Sequence, residues 1–99
     1  MKQDEAVLDQ VFSALSDATR RRIVERLVGG PATVSELASP SGMSLPGFMK
    51  HLRVLEDAGL IAVTKAFVGK RPRTSLALTP QGRLDWAEHL RVLREIAGS

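Results

Sequence analysis

The 99-residue chain has no cysteine, no tyrosine and only four aromatic side chains, three phenylalanines and one tryptophan. Without cysteine, the protein can form neither a disulfide nor a thiolate metal site. The shortage of aromatic side chains argues against binding of single-stranded RNA, which proteins hold largely by stacking bases on aromatic rings. No apolar run approaches the roughly 20 residues that span a bilayer, and the N-terminal segment is acidic where a signal peptide would be basic and then apolar. We therefore expect a cytoplasmic protein without a membrane partner.

The composition is that of one globular domain, which we take to comprise residues 1–99. Apolar residues make up 43% of the chain and charged residues 25%, as in ordinary folded domains. A domain this small buries only about two-thirds of its unfolded surface, so association with a second copy would add stability. The segment 44–73 carries six basic and two acidic residues, whereas the rest carries eight basic and nine acidic ones. This concentration of positive charge predicts one surface that faces a polyanion.

Apolar residues recur at helical spacing in five segments, each with a capping signal at its start or end. The predicted helices cover about residues 4–15, 17–28, 34–39, 44–58 and 80–97. Residues 60–68 and 74–79 alternate and are rich in β-branched side chains, which predicts two strands. A basic turn at 69–73 would join them into a hairpin. The resulting order, α-α-α-α-β-β-α, is a mainly α (α+β) fold of the winged helix-turn-helix type.

The helix at 44–58 and the wing at 65–74 are the predicted contacts with double-stranded DNA. With Phe48, Leu52 and Leu55 assigned to the core, the remaining face of the helix is free to enter the major groove. Lys50 can bind a guanine edge or a phosphate, and the apolar side chains can meet thymine methyl groups. The wing would bind phosphate or an adjacent minor groove. The candidate DNA-binding residues are Ser44, Leu45, Pro46, Met49, Lys50, Arg53, Lys70, Arg71 and Arg73.

Three arginines, Arg20 to Arg22, fall in the first turns of the second helix, where the helix dipole disfavours cations. We consider two explanations for them, an acidic or phosphate partner and a solvated surface run. Two further alternatives stay open as well. Leu45 and Met49 could be core or interface residues, and the wing could be a solvated charged turn.

The sequence from Ala14 to Ile23 resembles the opening motif of ArsR-type winged-helix regulators, and the sequence from Met43 to Ile61 resembles their recognition helix. The segment from Gly69 to Arg83 is more similar to MarR-type proteins. The ArsR resemblance implies a dimeric transcription factor, usually a repressor released by a small ligand. It also implies that the reading residues are Leu45, Pro46, Met49 and Lys50. An inducer cannot be named from this sequence, so its identity stays unknown.

The first and last predicted helices have apolar stripes too wide for so small a monomer to bury, which predicts a homodimer. In the family that the chain resembles, these helices pack across a two-fold axis. The candidate dimer residues are Val7, Val11, Trp86, Leu90 and Leu93. The alternative is that these side chains only cap the core of the monomer. Two recognition helices would then lie about 34 Å apart and favour an inverted-repeat operator.

We expect no cofactor, no metal ion and no enzymatic activity. The only two histidines, His51 and His89, lie on different predicted helices, and no residue set suits nucleophilic catalysis. No glycine-rich phosphate loop follows a strand. We expect His51 to form a structural hydrogen bond or to touch phosphate. The main alternative to a DNA-binding regulator is a winged helix that contacts another protein without specific DNA binding.

Overall fold

The computed structural model describes the backbone of residues 2–98 and the side chains of residues 8–98. Five helices and a small antiparallel sheet follow one another along the chain. They are α1 (Lys2–Leu15), α2 (Ala18–Val28), β1 (Ala32–Thr33), α3 (Val34–Ser41), α4 (Leu45–Asp57), β2 (Ile61–Val68), β3 (Arg71–Leu78) and α5 (Pro80–Ala97). The sheet order is β1-β3-β2, with β3 between its two neighbours. The predicted winged helix-turn-helix fold is confirmed, and β1 is an additional strand that the sequence did not predict.

Four helices begin at a polar side chain that accepts a hydrogen bond from a backbone N–H in the first turn. These N-caps are Asp17, Thr33, Ser44 and Thr79. Each satisfies a donor that the start of a helix would otherwise leave without a partner. All four are of residue types that favour the N-cap position, so these helix starts follow directly from the sequence.

Helix α3 is longer than predicted and passes through Pro40 to end at Ser41. Proline keeps a helical φ, so the backbone stays helical through Pro40, although its missing N–H removes one hydrogen bond of the helix. The helix ends instead at Gly42, whose φ of 68° is left-handed, a conformation typical of a glycine that terminates a helix.

The hairpin turn is shorter than predicted. Arg71, Pro72 and Arg73 belong to β3 and lie opposite Val68, Phe67 and Ala66 of β2. Only two residues, 69 and 70, remain at the tip. Pro72 is tolerated in a strand because β1 pairs only with residues 75 and 76 of β3, so beyond them β3 is an edge strand. The wing is therefore a two-stranded ribbon that extends past the helices.

The predicted buried stripe of α4 is confirmed, since Phe48, Leu52 and Leu55 are almost fully buried. Other large side chains at the centre of the core come from α1, α2, the residue before β2, and β3. They are Leu15, Val24, Leu27, Leu60 and Leu76. Burial of three side chains on one face of α4 fixes its rotation, so the opposite face must point outward.

Candidate nucleic-acid interface

The outward face of α4 presents the side chains that the sequence predicted for DNA contact. Leu45 is 57% exposed and Met49 is 43% exposed. Neither is a core residue of this protomer, so the core alternative for these two side chains is wrong. Pro46, Lys50 and Arg53 are also exposed. The first turns of α4 thus carry a mixed apolar and cationic face that is open to solvent.

The cations of α4 are available to a ligand. Within the described residues, neither Lys50 nor Arg53 forms an ion pair with an acidic side chain. The N-cap Ser44 accepts a hydrogen bond from the backbone N–H of Gly47 at 3.3 Å. This cap fixes the first turn of the helix, whose positive dipole end suits an anion.

The wing carries the second group of predicted residues, and Lys70, Arg71 and Arg73 are all exposed. Arg71 and Arg73 are two residues apart on one strand, so their side chains leave the same face of the ribbon. Lys70 lies at the two-residue tip. As on α4, no ion pair within the described part of the chain occupies these three side chains.

Arg20 ties α4 to the end of α1. Its Nε donates to the carbonyl oxygen of Ala14 at 2.7 Å, and a terminal nitrogen donates to the carbonyl oxygen of Ser13 at 3.1 Å. The other terminal nitrogen lies 3.0 Å from Nδ1 of His51 on α4. Because a guanidinium only donates hydrogen bonds, Nδ1 of His51 must accept. The expected structural hydrogen bond of His51 is therefore present.

Arg21 acts in a similar way, since it donates to the carbonyl oxygen of Leu15 at 2.8 Å. The solvated-run explanation is thus wrong for Arg20 and Arg21, whose guanidinium groups donate to the last carbonyls of α1. The acidic-partner explanation holds only in part, since the charge of Arg20 also acts on the carboxylate of Asp17. A cation at a helix C-terminus is favoured by the helix dipole. Only Arg22 is a solvated surface residue. The signal was present in the sequence, because α2 begins directly after α1 ends.

Asp17, the N-cap of α2, lies beside this cluster, with its Oδ1 3.9 Å from Nδ1 of His51. The backbone N–H of Arg20 donates to its carboxylate at 3.1 Å. This hydrogen bond is the main reason why the pKa of Asp17 lies below its ordinary value. The charged form of Asp17 is therefore the form that the fold stabilises.

The predicted dimer residues divide into two groups. Val11 and Trp86 are only 6% and 8% exposed and lie in the core of the protomer, where little of their surface is left for a partner. Leu90 and Leu93 on α5 are exposed. The side chain of Val7 lies outside the described residues.

A groove between α1 and α5 exposes two apolar side chains of α1 that were not among the predicted dimer residues. Phe12 is 62% exposed and Leu8 is 51% exposed. With Val92 and Leu93 of α5 they line a cavity of about 250 Å³. The apolar stripe of α1 is wide, so some of its side chains face the core and others face this groove. The spacing of apolar residues in the sequence does not show which of them are buried.

His89 lies in the same groove and stacks on Trp86, with ring centroids 5.4 Å apart. Burial is the main cause that lowers the pKa of His89, and the nearby charge of Arg21 lowers it further. Among residues 8–98, whose side chains are described, no cluster of three or more His, Asp or Glu could hold a metal ion. No described helix is long and apolar enough to cross a membrane.

Comparison with known proteins places this geometry in a family. Residues 15–64 match a helix-turn-helix domain family. Over 53 residues, 54% of this chain, the sequence is 49% identical to HTH-type transcriptional regulator Rv2034 of Mycobacterium tuberculosis. Over 55 residues, 56% of this chain, it is 38% identical to the transcriptional repressor SdpR of Bacillus subtilis. The matches span 50% and 61% of the lengths of these two relatives.

A crystal structure of an ArsR family transcriptional regulator extends the likeness to nearly the whole chain. It is 38% identical in sequence, with a TM-score of 0.70, and the match covers 96% of this chain and 94% of that one. The predicted ArsR resemblance, which rested on the segments around Arg20 and His51, is confirmed. The chain belongs to the ArsR family of winged helix-turn-helix transcriptional regulators.

Proposed function

We propose that this protein is a sequence-specific double-stranded DNA-binding repressor that acts as a homodimer. Helix α4 reads base edges in the major groove, and the wing binds phosphate or the adjacent minor groove. The observation that carries this proposal is the exposed cationic surface of α4 and β2–β3, which no acidic side chain of the described chain neutralises. SdpR, a relative, is described as a transcriptional repressor, which supports repression over activation.

On α4, the chemistry of each side chain suggests its part in recognition. Lys50 offers an ammonium to guanine O6 and N7 or to a phosphate, whereas Leu45 and Met49 offer apolar contact to the methyl group of thymine. Arg53 lies one turn further along the helix and suits a phosphate. This division separates sequence readout from the electrostatic contacts that hold the protein in register.

The proposed dimer is supported by the exposed groove between α1 and α5. Large apolar side chains along this groove, Phe12 and Leu93 among them, are unfavourable in water and would be buried by a second copy of the chain. A two-fold axis through the groove would present two α4 helices about 34 Å apart to an inverted repeat. No ligand that releases the protein from DNA is proposed.

Fluorescence anisotropy with a labelled duplex, recovered by wild-type protein from a random pool, tests the proposal. We expect affinity to fall steeply between about 50 and 200 mM salt. Lys50→Ala and Arg71→Ala should weaken binding, and loss of a phosphate contact reduces the slope of log K against log salt by about 1. Arg94→Ala, an equal change of charge on the last turn of α5, is the control and should leave binding within about twofold of wild type.

Exposed Leu45 and Met49 also favour a second candidate function, a winged helix that docks on another protein. The variant Leu45→Asp separates the two. Protein contact would replace DNA binding as the function of this face if two results were obtained together. The wild-type protein would bind no duplex even at low salt, and Leu45→Asp would abolish an association with another protein whose affinity does not depend on salt.

A further inference from the structure

Phe67 is the most exposed of the large apolar side chains in the described chain, with 76% of its surface open to solvent. It lies in β2, two residues before the tip of the wing, and opposite Pro72 of β3. Neither the packing of the core nor the proposed contacts of the arginines requires an aromatic ring at this position. A phenylalanine held at the end of a projecting ribbon needs a partner outside the protomer to leave water.

The direction of the ring follows from the register of the hairpin. Side chains alternate between the two faces of a strand. Ile61 is buried and Val63 packs against the core, so every second residue after them, Lys65 and Phe67, leaves the same face of the ribbon beyond the helices. Phe67 and Lys65 therefore lie on the same face of β2 as the core residues, but in the part of the strand that projects beyond the helices and is exposed to solvent.

The other face of the wing is different in character. Ala66 and Val68 point to that side, directly opposite Arg73 and Arg71. The wing thus has an aromatic face and an arginine face, with Lys70 at the tip between them. From residue 58 to residue 73 the chain contains no acidic residue. The ring therefore shares its face with Lys65, and the arginines lie on the opposite face of the same narrow ribbon.

We propose that Phe67 inserts into the minor groove of duplex DNA, next to the major groove that α4 occupies, and packs its ring against the deoxyribose walls. Lys65, Lys70 and the wing arginines would hold the flanking phosphates. This inference rests on the proposed DNA-binding function and adds an apolar contact to it. Phenylalanine is among the side chains that minor-groove proteins insert in this way.

The surrounding charge favours DNA over an apolar protein surface as the partner of Phe67. The centres of protein–protein interfaces are depleted in charged residues, whereas the wing that carries Phe67 has Lys65 on the same face, Lys70 at its tip and Arg71 on the other face. A polyanion binds these cations, and the sugar walls of its minor groove supply the carbon surface that the ring needs. The ribbon ends in a two-residue turn, so its tip is narrow.

An apolar contact and a phosphate contact respond differently to salt. Phosphate contacts release condensed counterions, so their loss changes the slope of log K against log salt. Packing of a phenyl ring releases no counterion. Phe67→Ala should therefore weaken binding by the same factor at every salt concentration, whereas Arg71→Ala should weaken binding and reduce the slope.

The test measures anisotropy of a labelled duplex that wild-type protein recovers from a random pool. We expect Phe67→Ala to bind about tenfold more weakly, about 1.4 kcal/mol, with an unchanged salt slope. Val68→Ala, which removes apolar surface from the neighbouring residue on the opposite face, is the matched control and should change affinity by less than about threefold. The melting temperature of Phe67→Ala should equal that of wild type, since the ring is exposed in the protomer.

A second duplex locates the contact in the minor groove. Inosine in place of guanine in the flanking base pairs removes the amino group from the minor groove and leaves the major-groove acceptors in place. Wild-type affinity should respond to this replacement by at least about threefold, and Phe67→Ala should not respond.

Three results would overturn the inference while DNA binding itself stands. They are wild-type affinity for Phe67→Ala, an equal loss for Phe67→Ala and Val68→Ala, and an equal response of wild type and Phe67→Ala to inosine. Recovery of no duplex by the wild-type protein would instead refute the proposed function, and this inference with it.

Discussion

Replacement of Arg20 by alanine tests how the end of α1 is joined to α4. The guanidinium donates to two carbonyl oxygens at the end of α1, those of Ala14 and Ser13, and contacts His51 of α4 at 3.0 Å. Alanine would leave all three acceptors without this partner. Since the position is half-buried, water can replace only part of what is lost.

The size of the effect follows from these contacts. A hydrogen bond that involves a charged group contributes about 1.5–3 kcal/mol, and a cation at a helix C-terminus adds up to about 1 kcal/mol. Partial exposure of Arg20 reduces the sum, so we expect Arg20→Ala to lower the free energy of unfolding by roughly 2–3 kcal/mol. In a domain of this size that corresponds to a fall in melting temperature of roughly 10–20 °C.

Thermal and urea unfolding followed by circular dichroism measure this change, at one fixed protein concentration because self-association would shift the transition. Arg22→Ala is the matched control. It removes the same side chain from the same helix at an exposed position and should stay within about 0.5 kcal/mol of wild type. Arg20→Lys should fall between the two, because an ammonium lacks the planar fork that reaches several acceptors. Equal stability of Arg20→Ala and Arg22→Ala would refute the reasoning.

Three further predictions concern packing, pH and assembly. A Cβ on Gly82 would lie 2.1 Å from the carbonyl oxygen of Leu60, so Gly82→Ala should lower the free energy of unfolding, measured in urea, by at least about 2 kcal/mol. Gly29→Ala is the control and should be near neutral, because the nearest atom to its Cβ would be 3.5 Å away. Because the fold lowers the pKa of Asp17 from 3.8, its charge stabilises the native state above that pH and the benefit is lost as pH falls through the folded value. Asp17→Asn keeps a capping acceptor without titrating, so its stability difference from wild type should shrink below about pH 4, and a constant difference in urea titrations would contradict this. Phe12→Asp should convert a dimer into a folded monomer in sedimentation velocity, and a dimer that persists would exclude the groove of α1 and α5 as its interface.

Much of the fold could be predicted because it depends on local signals. Capping side chains such as Ser44 and Thr79 mark helix starts, and the spacing of Phe48, Leu52 and Leu55 defines the buried side of α4. The outward face that carries the proposed DNA contacts then follows by elimination. Strand β1 was missed because two residues are too few to show alternation.

Other features depend on contacts between distant parts of the chain. Pro72 suggests a turn when it is considered alone, but pairing with β2 places it in a strand. The partners of Arg20 become visible only when the end of α1 and the side of α4 are brought together. Likewise, an apolar stripe does not reveal which of its members face the core, so Val11 and Phe12 could not be distinguished before the arrangement of the helices around α1 was known.

The central claim, that a homodimer reads double-stranded DNA with α4, is tested most directly by sequencing the duplexes that the wild-type protein recovers from a random pool over several rounds at physiological salt. The account predicts enrichment of one inverted repeat whose half-sites are centred about one turn of DNA apart, 10 to 10.5 base pairs or a multiple of this spacing. A pool that shows no enriched sequence after repeated selection, with protein that is folded and active in self-association, would contradict it.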